Sequence, residues 1–332
     1  MFRIVNSVLT KSVVVLFLVS ALAPNAKAAQ EVEKIKIALG DIVTIETLHF
    51  VIALENVKKR GVDVELISFK SEDIANQAVV IGQAHIGVGT PYSVIQNIDA
   101  PIRIFFQLST LQFFAVVNKN YYQKWEDLDG EEMVLHSRTS GTLALANLMA
   151  LKKGIKYGKI SYIPGSEVRA LAMLKGTIKA TYLDAYNKEF LLKQEPDQFL
   201  VLPAGDATAS DETLFATLDF IESNPKTMRI LLEELLKVWR RVNAEPSYVL
   251  DERARLGLLP DLPQELEPEI LPFFQLAAEN GMFPPNGGSE EAARQDFEFF
   301  TLAGQLKGPA EDLKVEDFWY LDPLKEVLRD ME

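Results

Sequence analysis

The chain contains no cysteine. Disulfides, thiolate metal sites and cysteine nucleophiles are therefore excluded, and so is a lipid anchor held through an N-terminal cysteine. Histidine is almost as scarce: His49, His85 and His136 stand far apart in sequence without metal-ligand spacing. They read as structural histidines, so neither a metal nor any other cofactor is expected. A nucleophile elbow, a phosphate loop and a zinc motif are all missing, which points away from catalysis. No low-complexity tract or repeat of fixed short period occurs, and beyond residue 28 no apolar run is long enough to span a membrane.

Positive charge is also in short supply. Lys and Arg number 34 against 47 Asp and Glu, a formal net charge of −13, and removing the three positive charges of residues 1–28 makes it −16. An acidic surface of this kind disfavours nucleic acid and anionic lipid as partners, but a local pocket can oppose the global sign. The remaining length, about 300 residues, suffices for one large or two medium domains.

What is present begins at the first residues. Arg3 and Lys11 precede the apolar run Val13 to Ala23, followed by Pro24 and the small-x-small triplet Ala26-Lys27-Ala28. This is the layout of a secretory signal cleaved after Ala28, and a run of about a dozen residues is short of the roughly 20 a spanning helix needs. A soluble, exported, periplasmic protein is expected.

The rest of the chain alternates short apolar strands with amphipathic helices, the pattern of a mainly parallel sheet covered by helices. Strands are predicted at 35–39, 62–69 and 86–89, with a helix from about Thr44 to Arg60, another from near Ser71, a short one after Pro91, and a strand-rich run at 102–118. A second cycle follows the polar turn Trp125 to Gly130: strand 132–136, a helix ending at Lys153 before Gly154, strand 159–163, helix 167–175 and strand 179–183. Beyond Asp211, a strand-like run at 213–218 leads into a helix from Pro225 to Asn243 and a Pro-punctuated region.

In this order and spacing the chain resembles the ABC-transporter solute-binding proteins of the nitrate, sulfonate and taurine group, which includes binders of thiamine pyrimidine precursors. The resemblance rests on Ile86-Gly87-Val88-Gly89, the Trp125 to Gly130 turn, and the stretch from Ala170-Leu171 through Gly176 to Ala180. Further pieces are Asn224-Pro225 opening a long helix, Leu302 to Leu306, and Asp317-Phe318-Trp319. It implies an α/β, two-lobed periplasmic-binding-protein fold of type II, with a ligand cleft between lobes that are each a mostly parallel sheet flanked by helices. The implied layout is a signal at 1–28, lobe one at 29–110, an inserted lobe two at 111–210, and a return to lobe one at 211–332. The expected partners are a small polar organic solute and a membrane permease, with the chain a monomer.

The richest local chemistry is the loop Ser137 to Thr142. Hydroxyls of Ser137, Thr139, Ser140 and Thr142, with Gly141 permitting close approach, sit where a helix start exposes unpaired N–H groups. Plain helix capping explains the same residues; the resemblance, whose matching loops line the cleft, favours ligand contact. Open parallel sheets bind ligands at the carboxyl ends of their strands, which adds Asp41, Thr44, Thr90, Tyr92 and Asp184, with Ser109 and Gln112 near the first crossing between lobes. Arg169 is a candidate for an anionic ligand group. Where relatives often carry a tryptophan-proline pair, this chain has Leu183-Asp184-Ala185-Tyr186, and a carboxylate there favours a ligand with hydrogen-bond donors, such as an amine or pyrimidine. Two other readings stay open: an enzyme of the same fold acting on a small carboxylate or pyrimidine precursor, and a periplasmic ligand-sensor module.

Overall fold

Lys34–Leu39 (β1) alternates lysine with buried isoleucine before three buried residues, so it enters the sheet from an exposed end and finishes in the core. It opens a computed structural model that describes residues 34–98, 101–203 and 208–332. The expected signal, residues 1–28, lies outside the described residues. α1 (Leu48–Lys59), β2 (Asp63–Ser68), α2 (Glu72–Val80), β3 (Ile86–Gly89), α3 (Tyr92–Ile98) and β4 (Ile102–Thr110) follow. The chain then crosses to a second sheet: β5 (Phe113–Asn118), β6 (Glu132–Leu135), α4 (Gly141–Lys153), β7 (Lys159–Tyr162), α5 (Ser166–Leu174), β8 (Ala180–Asp184), α6 (Ala185–Gln194) and β9 (Phe199–Val201). It returns through β10 (Ser210–Thr217) into α7 (Leu218–Ser223), α8 (Pro225–Ala244), α9 (Tyr248–Leu256), α10 (Ile270–Glu279), α11 (Glu290–Leu302), α12 (Val315–Phe318) and α13 (Asp322–Met331).

The two sheets are built alike, in the orders β2-β1-β3-β10-β4 and β7-β6-β8-β5-β9. Each is mixed: β10 runs antiparallel to both its neighbours, and so does β5, while the other four strands of each sheet point one way. In each sheet the opposed strand is the one that has just arrived from the other lobe. The crossings are stitched where they touch, by Leu111 N–H donating to the Ala209 carbonyl at 2.8 Å and Leu202 N–H to the Ala115 carbonyl at 2.9 Å.

Helices pack where sequence periodicity places their apolar faces. α8 buries Met228, Leu231, Leu235, Trp239 and Val242, three or four residues apart, and starts on Pro225, where the missing N–H has no helical partner to lose. The main core includes Trp125, Trp239 and Trp319, all buried, and a smaller cluster of Val116, Ala170, Met173, Leu183, Leu191 and Phe199 belongs to the second lobe. Among the described residues no helix is long and apolar enough to cross a membrane.

Candidate functional site

The carboxyl ends of the parallel strands in both sheets meet at one place. A chamber of about 90 Å³ there is lined from the first lobe by Asp41 and Thr44 after β1, Glu46 before α1, His49 on α1, Glu72 opening α2, Ser109 on β4, and Asp211 and Glu212 on β10. The second lobe contributes His136 after β6, Ser140, Gly141 and Thr142 at the start of α4, Ser166 and Arg169 on α5, and Asp184 ending β8. Phe113, Phe273 and Phe283 complete the wall. A larger space of about 470 Å³ adjoins it, sharing Thr44, Glu46 and Phe273 and lined chiefly by apolar side chains such as Ile42, Val43, Phe190 and Leu262.

Of the residues expected from sequence, Asp41, Thr44, Ser109, Ser140, Gly141, Thr142, Arg169 and Asp184 line the chamber. Thr90, Ser137 and Thr139 lie behind it, in a polar seam between the lobes. Ser137 Oγ donates to Glu72 Oε2 at 3.2 Å, Thr90 Oγ1 to the Thr139 carbonyl at 2.9 Å, and Thr139 Oγ1 to Asp73 Oδ1 at 2.9 Å. Gln112 stands outside the lining and donates through Nε2 to the Asn280 carbonyl at 2.7 Å. Tyr92 corrects the expectation outright. It is fully buried in the first-lobe core, donating to the Asp296 carboxylate and accepting from the Trp319 indole at 2.8 Å, its ring against Phe300. As the first residue of α3 it points under the sheet rather than into the cleft.

The hydroxyl loop is tied mostly to itself. Ser140 Oγ accepts from the Ser137 N–H at 3.2 Å and lies 2.9 Å from Thr142 Oγ1, which accepts from the His136 N–H at 3.1 Å. A Cβ on Gly141 would come 2.4 Å from Leu111 Cδ2 on the first crossing.

Sequence reasoning found Asp41 and Asp184 but missed the other four acids of the chamber, Glu46, Glu72, Asp211 and Glu212. Glu72 is cradled by two glycines: a Cβ on Gly40 would lie 2.3 Å from its Cα, and one on Gly89, at φ +145°, 2.5 Å from its Oε1. It accepts the Thr90 N–H at 2.8 Å and the Ser137 hydroxyl, yet burial outweighs these bonds and pushes its pKa up to about 7. Burial, then the nearby charges of Glu72 and Asp184, pushes Asp211 up to about 8. Burial and Asp211 drive Glu212 well above the carboxylate range, while burial, Asp184 and Glu167 do the same to Glu46. Asp41 is raised by burial. Asp184 caps α6, accepting the Asn187 N–H at 2.8 Å and its side-chain amide at 2.7 Å; that amide also donates to Glu46 Oε1 of the first lobe at 3.1 Å.

Against these acids stands Arg169, 1% exposed. Its Nε donates to the Tyr182 carbonyl at 3.1 Å and a terminal nitrogen to the Ile163 carbonyl at 2.8 Å, so the backbone holds it under the carboxylates. Burial lowers its pKa, and Glu46, Asp184, Glu167 and Asp41 oppose that effect. His85, as expected, is structural, accepting the Lys36 N–H at 2.9 Å. His49 and His136 instead face the chamber, both brought down to about 3, by burial for His49 and by burial and Arg169 for His136, so both are neutral. Among the described residues no group of three acids or histidines is placed to hold a metal.

Two mixed sheets with helices outside and a cleft at their facing strand ends define a two-lobed binding-protein fold of type II. The chain belongs to the family described as NMT1/THI5 like, whose sequence model matches residues 57–248. The fold is shared with a solved protein from Bordetella bronchiseptica RB50 (18% identity, 90% of this chain and 98% of that one, TM-score 0.72). It is shared also with the periplasmic nitrate-binding protein NrtA from Synechocystis PCC 6803 (13%, 91% and 90%, TM-score 0.65). A third is the alkanesulfonate-binding protein SsuA from Xanthomonas axonopodis pv. citri bound to MOPS (14%, 84% and 96%, TM-score 0.63). No curated protein sequence matches the chain.

Proposed function

We propose that this chain is the substrate-binding component of an ABC importer, capturing a small polar organic solute in the periplasm and passing it to a membrane permease. The observation that carries this reading is the chamber itself, walled by side chains of both lobes and lying beside the two crossings. Such a site opens and closes by hinging, which buries a polar solute and gives the closed lobes a surface that a permease can recognise. The nitrate- and sulfonate-binding proteins that share the fold support it.

In this reading residues 1–28 direct export and are removed after Ala28, and the mature protein acts as a monomer without a nucleic-acid partner. Asp41, Thr44, Ser109, Ser140, Gly141, Thr142, Arg169 and Asp184 contact the solute. The closed lobes are held together by Thr90 bonding the Thr139 carbonyl, Ser137 bonding Glu72, and Thr139 bonding Asp73. The solute is released unchanged. Native mass spectrometry of exported protein, followed by denaturation, tests this: one small molecule per chain, recovered unaltered, is the expected result. A product that accumulates with time would instead make the protein an enzyme.

A further inference from the structure

Resting on the solute-binding reading above, we infer that the solute is an organic cation whose small, nitrogen-bearing head donates hydrogen bonds into the chamber while an apolar body fills the adjoining space. The site is the enclosed cleft; its lining selects the charge. Six carboxyl groups, on Asp41, Glu46, Glu72, Asp184, Asp211 and Glu212, face one permanent cation, Arg169, whose guanidinium is already committed to two backbone carbonyls. An anion would enter a chamber whose six carboxyl groups outnumber its one guanidinium, which keeps three N–H groups beyond those two bonds. A cation supplies the charge that this chamber lacks, and the protons now held by the buried acids occupy its place.

A second, independent observation is His49. It lines the chamber, is 6% exposed, and its Nδ1 lies near the Glu46 carbonyl without a well-formed hydrogen bond. With the Nδ1 proton turned toward that carbonyl, the other ring nitrogen of the neutral imidazole is the acceptor for an N–H of a ligand. A bare metal ion does not satisfy the lining, because its oxygen and nitrogen ligands must converge within about 2–2.6 Å and no three acids or histidines among the described residues do so. The positive charge must be spread over a molecule with several N–H groups.

Size and polarity complete the argument. The chamber, about 90 Å³, admits a head of a few atoms, such as an ammonium or amidinium. On the other side of Thr44, Glu46 and Phe273, which wall both cavities, lies the space of about 470 Å³ among apolar side chains, which suits a ring or alkyl body.

The test is calorimetric titration of the purified protein with benzylammonium, phenethylammonium, benzamidinium and tryptammonium, beside neutral benzamide and anionic benzenesulfonate. At least one cation is expected to bind and benzenesulfonate is not. Glu212→Gln and Asp211→Asn should each weaken the cation about tenfold or more, the loss of one charge-assisted hydrogen bond. Both variants relieve repulsion among buried acids and so should fold, which circular dichroism checks. No binding by any cation, or cation binding that neither variant changes, overturns the inference. Benzenesulfonate binding without cation binding overturns it while leaving the solute-binding reading intact; a protein that binds and retains nothing removes both.

Discussion

Replacing Glu72 with glutamine should make the protein more stable at pH 8 and leave it nearly unchanged at pH 4.5. In the folded protein this carboxyl is raised from 4.5 to about 7, chiefly by burial. The folded state therefore binds the proton more tightly than the unfolded state, and stability falls as pH rises from 4.5 through 7. The full loss is about 3 kcal/mol, a large fraction of the stability of an ordinary domain. Glutamine carries no charge at any pH and fits the same partners: its carbonyl can accept the Thr90 N–H, and its amide can donate to Ser137 Oγ once that hydroxyl rotates. Urea unfolding followed by the fluorescence of buried Trp125, Trp239 and Trp319, at pH 5, 6, 7 and 8, gives the difference between variant and wild type. It should widen steadily over that range toward about 3 kcal/mol. A difference that is constant between pH 5 and 8 would refute the reasoning, because Glu72 would then be ionised throughout.

Tyr92→Phe removes the hydroxyl that donates to Asp296 and accepts from Trp319; it should cost about 1–3 kcal/mol in urea unfolding and leave ligand affinity unchanged. Arg169→Leu leaves the chamber acids without their buried cation and should cost about 3–5 kcal/mol at pH 8, less at pH 5, where Asp211, raised to about 8, is protonated in either protein. Gly141→Ala should be harmful in the wild-type background but much less so beside Leu111→Ala, whose side chain would otherwise meet the new Cβ at 2.4 Å; a double-mutant cycle on unfolding free energy measures that coupling. For a cationic ligand, affinity should rise between pH 6 and 8, because bound positive charge displaces protons held by Asp211 and Glu72; titration in buffers of different ionisation enthalpy reads the released protons.

Much of the fold was legible because its strands are short apolar runs with clear stops. The strand at Ile86–Gly89 falls where predicted, and α4 ends at Lys153 before Gly154 in the left-handed region. The helix expected from Thr44 starts only at Leu48, since Thr47 Oγ1 accepts the Thr44 N–H at 3.0 Å and closes a separate turn that lets Glu46 reach the chamber. The run at 102–118 is two strands, split where the chain changes sheets at Leu111 and Gln112. The chamber acids were hidden for a physical reason. Acids at a strand start or in a helical first turn, such as Asp211, Glu212 and Glu72, read as solvated turn residues or favourable dipole partners, and only the approach of the second sheet turns them inward. Asp184 was visible because it follows an apolar strand in a stretch where the resemblance led one to expect something else.

The position of β10 between β3 and β4 also sets an order of assembly. All five strands of the second sheet lie within residues 113–201, so that sheet can form from segments close in sequence. The first sheet remains split until residues 210–217 arrive, and its central pairings, such as Thr213 with Gly89, join segments more than a hundred residues apart. Because closing long loops slows folding, the lobe made first completes last. Nearly the whole length up to β10 must be available before the first lobe closes its core, so an N-terminal fragment ending at β4 has every strand of that sheet except the one that joins its two parts.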